Sequence, residues 1–293
     1  MRLSGALLLS RRSADRFLSI GLMAAGLLSG VLLLFIVLFI SMESWPVLNH
    51  TSLSTLLTST DWRPSMGRFG LLAILVGSLS VSFLALLLAA PLGLATAFYL
   101  SVYAPPKIAA FGQKLIEVMA GIPSVVFGLW GLVTLVPIMV HLSPPGTSML
   151  TAGIVLAIMI APTLTVFSLL AIKSVPMATV QSGRALGLGR GTILRTIILP
   201  QARPGIVTGT LLALARALGE TMAVMMVAGN VVHIPASLLD PVRTLTANIA
   251  LEMGYALDAH RSALFMSGLL VMLITLIIVM AAGFKSDGTD KAP

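Results

Sequence analysis

The chain has 293 residues, 57% of them hydrophobic and only 10% charged, with no cysteine and a mean hydropathy of +1.04. That balance excludes a water-soluble globular fold, and the missing cysteine excludes disulfides, thiolate metal sites and cysteine nucleophiles. The net charge of +8 does not indicate nucleic acid, because the basic residues are scattered between apolar runs and form no single basic face. The fold class these values predict is an all-α, polytopic membrane protein embedded in a lipid bilayer.

A membrane-crossing helix needs about 20 apolar residues, and six runs in the sequence qualify. After a tail at 1–16, the run at 17–41 carries no charge and is longer than the apolar core of a signal peptide, so it reads as a retained first helix. An outer loop at 42–70 leads to the second run, 71–100, with Pro91 inside it. From 118 to 172 no residue is charged, and Ser143-Pro144-Pro145-Gly146 divides that stretch into a third and a fourth helix. The fifth is expected over 206–231 and the sixth over 262–284, ahead of a tail at 285–293, which makes 71–284 a core of five spans. Pro91, Pro123, Pro137 and Pro162 are candidate kinks, and the pairs Gly26 with Gly30 and Gly205 with Gly209 are candidate close crossings.

Lysine and arginine set the orientation. With the N-terminus inside, thirteen of them fall on the cytoplasmic side, and only Arg63, Arg68, Arg243 and Arg261 lie outside. This bias predicts six transmembrane helices with both termini in the cytoplasm. Arg216 alone is left within a span.

The sequence contains neither a G-x-x-x-x-G-K-[ST] phosphate loop nor an H-E-x-x-H pair, and His50, His141, His233 and His260 have no ligand spacing. No metal or cofactor is expected in this chain, and no enzymatic activity of its own. If it moves a solute uphill, another chain supplies the energy. The inner loop 173–204 is the most informative extramembrane stretch. Prolines bracket it, and Gly187 and Gly189 predict a turn between two short helices. Its mixture of apolar and basic residues suits a partner's groove and a lipid surface equally.

Within that loop, Gln181-Ser182-Gly183, then Gly187, then Ile197 and Leu199-Pro200 resemble the EAA loop of bacterial ABC importer permeases. Gln181 stands where that pattern has Glu, and Ser182-Gly183 replace its two alanines. The residues that the resemblance marks for coupling to an ATPase are Gln181, Ala185, Gly187, Ile197, Leu199 and Pro200. Three further stretches are similar to the PstC-type permease family of phosphate importers: residues 120–128 (AGIPSVVFG), 216–230 (RALGETMAVMMVAGN) and 244–253 (TLTANIALEM). The resemblance implies a type I ABC importer permease in a bacterial inner membrane. It also implies a homologous PstA-type permease as partner, two ATPase subunits that bind ATP and Mg below, and a periplasmic phosphate-binding protein above.

Arg216 and Glu220 are the only charged residues between 205 and 232. Either costs about 2.5–3.5 kcal/mol at the centre of a spanning helix. Counted from Ile206, Arg216 lies roughly 15 Å into the membrane, and four-residue spacing on one helix would put Glu220 on the same face. Two roles stay open. The pair neutralises itself, or Arg216 receives an anion in the translocation path with Glu220 holding it in place and Thr221 and Ser124 nearby. An importer of another oxyanion, such as a phosphonate or sulfate, and a self-sufficient secondary carrier are the alternative functions.

Overall fold

The computed structural model describes the backbone of residues 4–287 and the side-chain surroundings of residues 18–283. Of the tails expected at 1–16 and 285–293, residues 1–3 and 288–293 lie outside the described residues. The first helix, α1 (Ser4–Ser44), buries none of its most apolar window. It packs along the last helix of the chain, with Phe39 edge-on to Phe265 at 5.9 Å between ring centroids. A helix apolar all round and this exposed is matched to hydrocarbon.

The loop that follows carries secondary structure of its own. A short helix, α2 (Leu53–Thr58), is capped by Ser52, whose side chain accepts from the Thr55 N–H. It precedes an antiparallel pair, β1 (Trp62–Arg63) and β2 (Arg68–Phe69), in which Trp62 faces Phe69 and Arg63 faces Arg68. Asp61 ties the hairpin together, 2.7 Å from Arg68 and 3.0 Å from Arg63. Its hydrogen bond from Arg68, helped by both positive charges, holds its carboxyl below the usual carboxylate range.

The second span, α3 (Leu72–Phe98), ends in a π-helical segment at Tyr99–Tyr103. The third span lies within its expected stretch but starts later: an amphipathic helix, α4 (Pro106–Ala120), takes in residues 118–120, and the chain then bends by 89°. Gly121 and Pro123 cause the break, since proline disfavours helical backbone in the residue before it. The span proper comprises α5 (Ser124–Trp130), a π segment at Gly131–Leu135 and α6 (Val136–Val140). The fourth span, α7 (Met149–Lys173), is capped by Ser148 and packs closely against α3.

The inner loop holds α8 (Met177–Ala185), a turn at Gly187 with φ of +76°, and α9 (Arg190–Ile193). The second short helix is not separate, as the sequence had suggested. It passes through a π segment, Leu194–Ile198, into α10 (Leu199–Leu218), giving one span from Arg190 to Leu218. The fifth span was expected over 206–231, but the helix breaks at 219–221 and resumes only as α11 (Met222–Val227). A short helix, α12 (Leu245–Glu252), and the sixth span, α13 (Asp258–Asp287), complete the fold. Among the described residues five helices are long and apolar enough to cross a membrane, and the bent pair of α4 with Ser124–Val140 makes a sixth.

Each π segment ends two residues before a proline: Pro105, Pro137 and Pro200. Proline has no N–H to donate, and its ring crowds the carbonyl four residues back, so the preceding turn widens. Gly205 and Gly209 make the close crossing anticipated for them. A Cβ there would sit 2.7 Å from the Ala171 Cβ and 2.5 Å from the Phe167 Cβ on α7, whereas Gly26 and Gly30 have nothing within 4 Å.

Candidate functional site

The three stretches quoted from the sequence converge on the break between α10 and α11. A Cβ on Gly128 of α5 would lie 2.8 Å from the Ala223 Cα, so only glycine permits that approach of α5 to α11. Thr246 of α12 donates its hydroxyl to the Glu220 carbonyl at 2.8 Å. Phe127, Ala217, Ala223 and Val224 belong to one buried apolar cluster with α3 and α7.

The break has a local cause. Gly219 caps α10, its N–H reaching back to the Ala215 carbonyl, and the Glu220 N–H takes the Ala217 carbonyl. The Glu220 carboxylate then turns forward and accepts from the Ala223 N–H at 3.1 Å. An anion there satisfies an N–H that has no partner within the helix and complements the positive end of the helix dipole. Thr221 occupies the N-cap position of α11, its hydroxyl 3.4 Å from the Gly219 carbonyl.

Arg216 and Glu220 therefore form no ion pair, and the shared helix face expected from their spacing does not exist. Nor does Glu220 hold Arg216. Arg216 Nη1 instead donates to the Thr163 hydroxyl of α7 at 2.9 Å. Thr163 lies fourteen residues past Met149 and ten before Lys173, so the guanidinium is level with the middle of α7. Arg216 is exposed, and Thr163 is half-buried. Ser124 is also half-buried, at the first turn of α5 beside the 89° bend. Thr163 went unnoticed in the sequence because a threonine within an apolar helix carries no signal of its own.

In the inner loop, α8 turns Val180 and Gly183 inward and leaves Gln181, Arg184 and Ala185 exposed. A Cβ on Gly183 would meet the Ile197 Cδ1 at 2.6 Å, so the glycine lets α8 lie directly on the π segment. Ile197 is half-buried, while Leu199 and Pro200 are exposed at the start of α10. Leu186, at the end of α8, is 79% exposed and Met177, at its start, 63%. The result is a short helix with exposed apolar side chains at both ends.

A second polar cluster, where α12 meets the β1–β2 hairpin and α13, was not anticipated. Glu252 is 7% exposed and accepts from Arg243, from Trp62 Nε1 at 3.0 Å and from His260 Nε2 at 2.8 Å. Arg243 also donates to the Asn230 carbonyl at 2.8 Å and to Asn248 at 3.1 Å. Asn230 and Gly229, at φ of 56° and 85°, reverse the chain after α11 so that Gly229 pairs with Val242. These bonds fix α11 to α12 and to the outer hairpin. Nearby, the N–H groups of Ser237 and Ala236 close a turn onto Asp240 and hold its carboxyl below the usual range.

The chain matches the model of the family described as binding-protein-dependent transport system inner membrane component over residues 89–285. It belongs to that family. It is thus a multi-pass membrane permease component of an ABC importer. The matched region runs from the middle of α3 into α13 and contains both the helix break and the α8 loop. Curated relatives include the phosphate transport system permease protein PstC of Xylella fastidiosa, 36% identical over 76% of either chain. PstC of Mesorhizobium japonicum is 35% identical over 89% of this chain and 86% of its own. The probable ABC transporter permease YqgH of Bacillus subtilis is 36% identical over 82% and 80%. Among solved structures, a bacterial ABC transporter involved in import of the acidic polysaccharide alginate superposes with a TM-score of 0.62 at 17% identity, covering 94% of this chain and 98% of that one. The MetNI methionine ABC transporter gives 0.59 at 20% identity over 76% and 96%. At such identities the likeness is one of fold.

Proposed function

We propose that this permease, with a homologous PstA-type permease, forms the translocation path for inorganic phosphate in an ATP-driven importer of a bacterial inner membrane, with both termini cytoplasmic. The observation that carries the reading is Arg216: an exposed guanidinium in the last turn of α10, level with the middle of α7, held by a hydroxyl and not cancelled by a carboxylate. Phosphate near neutral pH carries between one and two negative charges. A guanidinium offers it a planar fork of donors that never deprotonates. The PstC names of the relatives favour phosphate over a phosphonate or sulfate. In this reading Glu220 acts on the shape of the path by fixing the helix break, and Ser124 and Thr221 line the region around it.

Energy enters from other chains. Two ATPase subunits, carrying ATP and Mg, receive α8 through Gln181, Ala185 and the exposed Leu186, with Gly187 setting the turn behind them. Ile197, Leu199 and Pro200 transmit the movement into α10. A periplasmic phosphate-binding protein docks on the outer face. The complex reconstituted in proteoliposomes tests this: phosphate uptake should require both ATP and the binding protein. Uptake driven by an ion gradient without ATP would favour a secondary carrier, and equal uptake of sulfate or a phosphonate would reassign the substrate.

A further inference from the structure

We infer that Thr163 is a second donor of the anion site, positioning the Arg216 guanidinium and offering its own hydroxyl proton to the same oxyanion. The inference rests on the proposed path role of Arg216 and adds a residue to which no sequence motif points. A threonine hydroxyl has one proton and two lone pairs. In Thr163 a lone pair takes the Arg216 Nη1–H at 2.9 Å. Four other helix threonines return their proton to the carbonyl four residues upstream: Thr96 to Leu92, Thr165 to Ala161, Thr210 to Ile206 and Thr275 to Val271. Thr163 makes no such bond among the described residues, which leaves its proton available to a ligand.

The geometry also favours a stronger donor. A hydroxyl that accepts from a guanidinium is polarised by it, so its own proton binds an anion more firmly. Arg216 spends one of its five N–H groups on Thr163, and the others make no bond among the described residues. Guanidinium and hydroxyl together present several donors against one remaining hydroxyl lone pair, on a face that carries no carboxylate bond to Arg216. Such a surface suits a tetrahedral oxyanion with several acceptor oxygens.

The test compares Thr163→Val, which keeps shape and removes the hydroxyl, with Thr163→Ser, which keeps the hydroxyl, in the full complex in proteoliposomes. Saturating phosphate and binding protein are used, because the binding protein sets the apparent KM. Loss of a hydrogen bond to a charged group predicts that Thr163→Val slows uptake roughly tenfold or more, with assembly intact. Thr163→Ser should stay within about twofold of the parent. If the Val variant does not assemble, Thr163→Ala against Thr163→Ser gives the same comparison. In an Arg216→Lys background, which keeps measurable uptake, Thr163→Val should cost clearly less than it does in the parent, because coupled residues are not additive. Parent-like uptake by Thr163→Val, or independent additive losses, would overturn the inference. Parent-like uptake by Arg216→Leu alone would instead overturn the path reading beneath it.

Discussion

Arg216 and Glu220 stand four residues apart and serve different structures: Arg216 reaches across to Thr163 on α7, while Glu220 caps the α11 turn through the Ala223 N–H. Gly219 separates them and ends α10. A mutually neutralising pair would be replaceable by two leucines, often without loss. Here the two substitutions should act separately. Arg216→Leu should abolish phosphate uptake, Arg216→Lys should retain a fraction of it because the forked geometry is lost, and the double leucine variant should stay inactive. Glu220→Gln keeps an acceptor but loses the charge, costing about 1 kcal/mol at the helix break. Uptake should fall less in that variant than in any neutral variant of Arg216. Radiolabelled phosphate uptake with other phosphate carriers absent measures all four.

Gly187 adopts φ of +76° in the turn that separates α8 from α9. A β-branched side chain there costs roughly 1–3 kcal/mol in backbone strain. Gly187→Val should still insert in the membrane, yet release the ATPase subunits or hydrolyse ATP without transport. Gly187→Asn tolerates the left-handed conformation and should remain coupled. The ratio of phosphate moved to ATP hydrolysed separates these outcomes.

The buried Glu252 carboxylate is shared by Arg243, Trp62 and His260. Removing Arg243 leaves a buried charge without its main partner, a loss of about 3–5 kcal/mol. Arg243→Leu should therefore lower the melting temperature of the purified complex markedly more than Arg68→Leu, whose partner Asp61 is at the surface. Equal melting temperatures for the two variants would mean that the outer cluster is not a stabilising clamp.

Asp240 accepts from the Ser237 and Ala236 N–H groups, which lowers its carboxyl from the usual 3.8. A depressed carboxyl contributes stability above its unfolded value and loses it as pH falls through the folded one. Protection of the amides of residues 236 and 237, measured against their intrinsic exchange rates, should hold at neutral pH and be lost only as pH falls below about 3.8, through the lowered value of that carboxyl. Asp240→Asn should expose both amides and remove the acid transition.

Because the chain has no cysteine, single cysteines report topology cleanly. Placed at the exposed positions Ser54 and Ala236, they should react with an impermeant thiol reagent from outside intact cells, and at Ser182 only after lysis. The opposite pattern would invert the proposed orientation.

Composition alone was enough to establish a helical membrane protein, since 57% hydrophobic residues in long uncharged runs have no other solvent than hydrocarbon. The spacing from Gln181 to Pro200 located the loop containing α8, and the 216–230 stretch located the helix break, though not as a break. Helical periodicity treats 206–231 as one apolar cylinder and cannot register that Gly219 ends it, because one glycine is tolerated in many membrane helices and breaks only those whose neighbours offer other partners. Here the Ala223 N–H, the Thr246 hydroxyl and the close approach of Gly128 supply them. Thr163 was invisible for the same reason: its meaning lies in a contact 53 residues away in the chain. Local sequence determined which segments enter the membrane. Tertiary packing decided which of their few polar groups meet, because a hydrogen bond depends on the last ångström of position, which only the packed helices set.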